Sequence, residues 1–419
     1  MTNKIFGKYT DCLISVIESY VKYYPGHAFK IVTGERKSFV VGTSKKMIIV
    51  SIVDTEKTLS NIFSNGSWGL GETYSNGTLV VNEKDYKFFL LIFIRLVTDK
   101  RIIQNMSQFF KKMIQETNLY ASFFRSQVKK TNKYVPLSHW FQTKEQENAF
   151  YLSWLKTPYT QYSSGKWDKD TKTLAQAQVN KINFYAKLLE INKDSSKKLL
   201  ELGCGWGGFI LYIAKKYKLH CMGLDISPQK INFVRKEKKR LNLAHYIPTS
   251  VQDIRNIENI KGVFDYIVSI GTQLDPREYN NFFYTVSQHL TKGGKALFHY
   301  SLLEDKNFIY KDDPFLQKYI FVGRGYRFRK KYYVPLKKYF HSVTVGFLPN
   351  LSYVKTLDVW LNNFVHNEKK IEKLFNKKIK KDAVKYYIRV FKHYLAFTSA
   401  SFMVTGKTIY ILAKKKSRL

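Results

Sequence analysis

The stretch Leu199-Leu200-Glu201-Leu202-Gly203-Cys204-Gly205-Trp206-Gly207-Gly208 constrains this chain more than any other. A short apolar strand runs into a cluster of glycines, and a helix-like segment, Phe209 to Lys216, follows. Without a Cβ at Gly203 and Gly205 the backbone can reverse tightly and come close to a bound molecule. Glu201 sets a carboxylate at the strand end, where it can accept from an ammonium group. Seventeen residues beyond Gly208, the run Cys221-Met222-Gly223-Leu224-Asp225 reads as a second strand ending on an acid. An acid in that place suits a ribose diol, by the logic of the dinucleotide-binding folds. Strand, glycines, helix, strand and acid in this register read as a pocket for S-adenosylmethionine (SAM).

The surrounding pattern agrees. Apolar spacing predicts a helix over Thr173–Ile191, followed by strands at Lys198–Leu202, Cys221–Asp225, His245–Thr249, Tyr266–Ile270 and Ala296–Tyr300, with helical segments between them. Such alternation predicts an α/β class, with a mostly parallel, Rossmann-like sheet covered by helices on both faces. Ligands of such sheets bind beyond the carboxyl ends of the strands, where the motif residues fall. Residues 1–100 read as a small α+β domain. Its strand-like pieces are Phe29–Val32, Ser38–Val41 and Met47–Val50, with turn signals at Gly42-Thr43-Ser44 and Ser64-Asn65-Gly66 and helix-like stretches at Asp11–Tyr23 and Asp85–Leu96. Residues 101–148 read as a basic helical linker, and 149–419 as the ligand-binding domain, carrying a basic helical insertion over about 304–395. Within it lie the segment Arg324–Phe340, where Lys and Arg interleave with aromatics and no acid, and a Lys-rich helix at Glu368–Lys381. Thr408–Ala413 reads as a last strand.

Composition adds a bias toward polyanions. The 419 residues carry a formal net charge of +38, which predicts attraction to an anionic membrane surface or to nucleic acid. The cysteines Cys12, Cys204 and Cys221 fit neither a disulfide framework nor a zinc site, so a reducing cytoplasm is expected. The chain opens without a secretory h-region. The most apolar stretch, Phe88–Val97, is too short to span a bilayer and contains Arg95, so membrane contact is expected to be peripheral. Rings and lysines interleaved over 324–340 suit a bilayer interface, where aromatics sit at headgroup depth and cations meet phosphates.

Four motifs resemble the cyclopropane-fatty-acyl-phospholipid synthases and their mycolic acid methyltransferase relatives. They are Trp68-Gly69-Leu70-Gly71-Glu72-Thr73-Tyr74-Ser75-Asn76-Gly77, then Gln161-Tyr162-Ser163-Ser164-Gly165-Lys166-Trp167, then Glu201 to Gly208, and lastly Lys318-Tyr319-Ile320-Phe321 with a late His393-Tyr394-Leu395. The resemblance implies a class I SAM-dependent methyltransferase fold with a helical lid. It also implies methyl transfer to the double bond of unsaturated phospholipid acyl chains at the inner membrane surface. The product would be a cyclopropane, or a methyl-branched or methylidene chain. Tyr162 and Ser163 match the family's lid over the cofactor, and Gly203 and Gly205 the methionine-side turn. Asp225, with Ile226 beside it, falls where the family often has Thr and is the acidic ribose ligand commoner among SAM enzymes; Gln252 and Asp253 match the adenine edge, and Ser269, Ile270 and Gly271 the strand end beneath the sulfonium. A homodimer carries over by analogy alone.

The family's base, a bound bicarbonate, carries over poorly. Ser164 stands where the family has Cys, Leu361 where it has Tyr, and Thr398 where it has Cys. The loop Gly271-Thr272-Gln273-Leu274-Asp275-Pro276 is shortened where the family has Glu. Only the histidine is kept, as His299. This departure puts bicarbonate in doubt and leaves His299, and more weakly Asp275, as candidate bases. Two other readings stay open: a non-catalytic SAM-binding homologue acting as a partner or regulator at the membrane, and a nucleic-acid methyltransferase, which charge alone allows and the N-terminal motif disfavours.

Overall fold

The computed structural model describes residues 7–108, 110–112, 137–194, 196–272, 274–275, 277–303, 313–321, 328–329, 334–349 and 351–415. The chain divides into two units: residues 1–142, 306–325 and 364–404 form the first, and residues 143–305, 326–363 and 405–419 the second.

The first unit is built on a four-stranded sheet of β1 (Ala28–Thr33), β2 (Ser38–Val41), β3 (Met47–Ile52) and β4 (Leu79–Val81), in the order β2-β1-β3-β4. β1 and β3 run parallel; β2 and β4 pair antiparallel to them. Alternation sets the faces: Ile48, Val50 and Ile52 are buried, while Met47 and Ile49 are exposed. The turn expected at Ser64-Asn65-Gly66 is instead a kink inside one helix, Thr55–Asn76, where Gly66 takes φ 54 and ψ −126. Glycine alone takes that conformation without strain, so the helix bends and continues through the Trp68–Gly77 motif.

Two domain boundaries need correction. Helix Lys381–Val404 and segment 313–321 lie in the first unit and not in the ligand-binding domain, and the second unit begins at Thr143. Burial explains the placement. In the helix, the ammonium of Lys392 is buried and lies 2.7 Å from both Glu83 and Glu368, while Phe391 stacks on Phe364. Trp140 packs against Phe375 and Tyr387, holding the end of the expected linker here. Half of that linker, residues 113–136, and much of the basic segment 324–340 lie outside the described residues. The expected Lys-rich helix is only Glu368–Glu372.

His393 in this unit gives a pH prediction. It is fully buried, 2.8 Å from the Tyr86 hydroxyl through Nδ1, and burial pushes its pKa from 6.5 down to about 3. Below pH ~6.5 the unfolded chain binds a proton that the folded chain refuses, so this contribution to stability is complete above that pH and is lost as pH falls toward 3, by at most ~1.4 kcal/mol per pH unit. The thermal midpoint is expected to fall between pH 7 and pH 5, and the drop should be smaller in His393→Gln. An equal drop in the variant would show that His393 does not contribute.

The second unit holds β5 (Lys198–Leu202), β6 (His220–Asp225), β7 (Thr249–Val251), β8 (Phe264–Ile270), β9 (Leu290–Leu303), β10 (Phe328–Arg329), β11 (Phe340–Phe347) and β12 (Lys407–Lys415). The sheet order is β11-β12-β9-β8-β5-β6-β7, with β10 beside β9. β5 to β9 run parallel, and β12 is inserted antiparallel between β9 and β11. This is the expected class I methyltransferase topology. Side chains alternate between two cores: Leu200, Ile267 and Phe298 face helix Tyr279–Gln288 with Phe282 and Phe283, whereas Leu199, Val268 and Leu297 face helices Leu174–Leu189 and Gly208–Tyr217.

Two sequence expectations shift here. The strand expected at His245–Thr249 begins only at Thr249. Tyr246 and Pro248 still accept from Cys221 and Gly223, but Pro248 has no N–H to return, so the ladder is one-sided. The insertion expected to be helical contains β11, whose run Val343-Thr344-Val345 suits a pleated edge.

Candidate functional site

The chain order reverses between β5 and β8, so a crevice opens beyond their carboxyl ends. β5 delivers Glu201, then the turn. Gly203 has φ 73, and a Cβ there would lie 2.3 Å from Thr272 Oγ1, whose hydroxyl donates to the Leu202 carbonyl at 3.1 Å. Both backbone and space therefore require glycine. Gly205, at φ 57, has nothing within 4 Å of where a Cβ would stand.

β6 delivers Asp225, which is buried. Its Oδ2 accepts the Gly205 N–H at 3.0 Å and its Oδ1 the Ser227 N–H at 2.9 Å, with Lys230 Nζ 3.9 Å away. One carboxylate thus ties the glycine turn to the start of helix Pro228–Arg240, which Ser227 caps. Ile226 and Val251 beside it are large apolar side chains, 52% and 44% exposed. Gln252 donates its backbone N–H to the Asp225 carbonyl at 3.1 Å, and its side-chain amide donates to Asn256 O. Asp253 caps the turn Ile254–Asn259 and pairs with Arg255.

Glu201 is buried and accepts the Ile210 N–H, yet its Oε2 has no partner. Burial pushes its pKa up. The Ser269 hydroxyl, at the end of β8, is also buried without a partner. Ile270 stands opposite His299 in the β8–β9 register.

The segment Gln161–Trp167 is held from helix Ser352–His366: Gly165 N–H donates to Thr356 Oγ1 and Trp167 N–H to Ser352 Oγ, each at 3.0 Å. The Tyr162 ring sits among Trp360, Trp154 and Tyr151, at 5.4, 5.5 and 5.7 Å between centroids. Ser163 is buried and accepts at Oγ from the ammonium of Lys181 at 2.6 Å, while its carbonyl accepts from the Gln178 amide at 2.9 Å.

The two candidate bases differ. Asp275 lies in a turn, donates its N–H to Glu278 and is ion-paired with Arg277. The Arg277 guanidinium holds its carboxyl down at about 2, which makes it a weak base already occupied; Gln273 and Pro276 of this loop lie outside the described residues. His299 is fully buried on β9, with Nδ1 2.7 Å from the Tyr185 hydroxyl. Burial, and then the neighbouring Lys181 charge, push its pKa well below 6.5, so it is a neutral imidazole at working pH. Of the divergent positions, Ser164 donates to the Gly165 carbonyl and Leu361 is buried in helix Ser352–His366. Thr398 belongs to the first unit.

Sequence reasoning missed Lys181, Gln178, Thr272 and Thr356. For the first two a signal existed: polar residues at 178 and 181 interrupt the apolar stripe of helix Leu174–Leu189 on its buried face. Sequence-distant partners such as Thr356 leave no such mark.

The site fits SAM. It offers an unpartnered buried carboxylate for an amine, open space over Gly205, an acid at the end of β6 for a diol, and exposed apolar surface at Ile226 and Val251 for a flat ring.

A family model described as "Mycolic acid cyclopropane synthetase" matches residues 138–411. The cyclopropane-fatty-acyl-phospholipid synthase of Escherichia coli K12 is 28% identical over 262 residues, which span 62% of this chain and 62% of that enzyme. Coclaurine N-methyltransferase, crystallised with N-methylheliamine and SAH, superposes over 84% of this chain and 100% of its own, with TM-score 0.61 and 17% identity. A mycolic acid cyclopropane synthase complexed with SAH and CTAB covers 68% of this chain and 100% of its own, with TM-score 0.55 and 22% identity. At these identities the two structures share the fold.

Proposed function

Because the chain belongs to the mycolic acid cyclopropane synthetase family, we propose that it transfers a methyl group from SAM to the double bond of unsaturated acyl chains of membrane phospholipids, giving a cyclopropane or a methyl-branched or methylidene chain. The observation that carries this reading is the constellation at the carboxyl ends of β5 and β6: the open Gly205 turn, the unpartnered Glu201 carboxylate and the buried Asp225. When bound, SAM supplies an electrophilic methyl on a sulfonium.

The chain's own residues bind, orient and shield. Asp225 and Glu201 anchor the two ends of the cofactor, and the rings of Tyr162, Trp154 and Trp360 exclude water and can face a cation. A proton next to a carbocation is strongly acidic, so a weak base suffices to remove it. His299, neutral and buried, holds a lone pair for that task. Its Nε2 is the accepting atom only when Nδ1 carries the hydrogen and donates to Tyr185. Bicarbonate is not needed for this assignment. The net charge of +38 supports peripheral binding to anionic lipid on the cytoplasmic side. Among the described residues no helix is long and apolar enough to cross a membrane.

The test is lipid mass spectrometry of cells expressing this chain in a background without such enzymes, fed methyl-labelled methionine. A gain of one carbon on unsaturated acyl chains is expected, with two label hydrogens kept in a cyclopropane or methylidene and three in a methyl branch whose proton is lost from the chain, leaving a double bond. Absence of label in lipid, with SAH binding intact, would overturn the lipid substrate and favour the non-catalytic homologue. His299→Ala is expected to lower turnover by about a hundredfold while SAH affinity stays within about threefold. Unchanged turnover would remove His299 from the mechanism.

A further inference from the structure

Helix Leu174–Leu189 turns Gln178, Lys181 and Tyr185 to one side, at helical spacings of three and four residues. Tyr185 reaches His299, and Gln178 and Lys181 both reach Ser163. Lys181 has no measurable exposure, and no carboxylate among the described residues is close enough to form an ion pair with it. A buried ammonium is costly unless it has a task or a partner, and a Leu or Met at this position would keep the apolar stripe intact.

The hydrogen bond to Ser163 supplies the task. An ammonium has donors and no acceptor, so in the contact Lys181 Nζ to Ser163 Oγ the lysine donates and the hydroxyl accepts. The single hydrogen of Ser163 is then turned away from Lys181 and becomes a donor. The Gln178 amide fixes the Ser163 carbonyl from the same helix, so the backbone carrying that donor is also held. The Lys181 ammonium and a Glu201 carboxyl oxygen without a partner, Oε2, lie within electrostatic reach of each other.

We propose that Lys181 is a positioning residue that fixes Ser163 as a hydrogen-bond donor to the carboxylate at the methionine end of the cofactor, opposite the Glu201 carboxylate that takes the amine. The inference rests on the SAM-binding reading above and adds how the zwitterionic end is told from a ligand that lacks the acid. Burial pushes the Lys181 pKa down to about 7, so the ammonium that orients the Ser163 hydroxyl is lost as pH rises through that value.

The test compares binding of SAH and of decarboxylated SAH by titration calorimetry on the full chain, with no lipid present. Lys181→Met, similar in size and without charge, is expected to weaken SAH by about tenfold or more and leave decarboxylated SAH within about threefold, with a thermal midpoint no lower than that of the parent, since a buried charge has been removed. Ser163→Ala should show the same selectivity loss, and the double variant should be no worse than either single one, because both remove one donor. Equal losses for the two ligands, or no loss of SAH, would overturn the proposal. If Lys181→Met does not fold, Ser163→Ala decides alone, and full retention of the preference for SAH overturns it. A parent protein that binds neither ligand overturns the SAM reading itself, a different outcome from one in which the parent binds SAH and the variants match it.

Discussion

Asp225→Ala is expected to weaken SAH binding by about a hundredfold or more. Two charge-assisted hydrogen bonds to a ribose diol are worth roughly 1.5–3 kcal/mol each, and every 1.4 kcal/mol is about a factor of ten. Loss of both acceptors alone accounts for the expected effect. The structure adds a second cost. Asp225 accepts the N–H groups of Gly205 and Ser227, so the substitution also frees the glycine turn and the start of helix Pro228–Arg240 from each other. Asp225→Asn should recover little, because an amide presents only one acceptor where two N–H donors converge. Calorimetric titration measures the change directly, and an affinity within about threefold of the parent would remove Asp225 from the site.

Phe298→Ala is expected to cost about 3–5 kcal/mol of stability, in the range for truncating a fully buried aromatic side chain. Phe298 has no exposed surface and lies on β9, the strand that joins the parallel half of the sheet to β12. Its ring contacts Phe283 and Phe282 at 5.2 and 6.0 Å and is parallel to Tyr300 at 6.5 Å. Removing it opens a cavity bounded by helix Tyr279–Gln288 on one side and by the sheet on the other, and neither can collapse into the space without breaking its own ladder. The loss should appear as a lower urea midpoint with an unchanged slope. His299 is the next residue on the same strand and faces the other way, so the variant also shows whether the candidate base is held by the core beneath it. A midpoint unchanged within error would contradict the packing described for this face.

The nucleotide-binding half of the second unit was legible because its signals are local. β5, the glycine turn, helix Gly208–Tyr217 and β6 are contiguous, and each residue's demand is met by its near neighbours: positive φ at Gly203 and Gly205, an apolar strand on either side, an acid where the second strand stops. The same holds for the alternation of β3 and for helices Lys8–Tyr23 and Glu83–Thr98. Legibility failed where a local signal was overridden or where one residue answers to another far along the chain. Gly66 looked like a turn, yet flanking helix carries the chain through it. Asp275 reads as a weak candidate base, and Arg277 two residues on occupies its carboxylate. Lys181 looked like one more polar residue on a helix, and only the folded chain buries it against Ser163.

By itself the sequence determined the strand–turn–helix–strand unit and the chemistry of its ends, since periodicity and glycine placement act over a few residues and need no distant partner. Tertiary structure alone decided which unit each segment joins. The chain leaves the second unit along helix Ser352–His366, contributes helix Lys381–Val404 to the first unit, and returns as β12 between β9 and β11. Those choices follow from burying Lys392 between two glutamates and the aromatic faces of Phe391 and Tyr387, and from the hydrogen bonds β12 finds on both of its edges. Such contacts join residues from tens to about three hundred positions apart, where composition and spacing carry no signal and only the free energy of the packed whole selects the pairing.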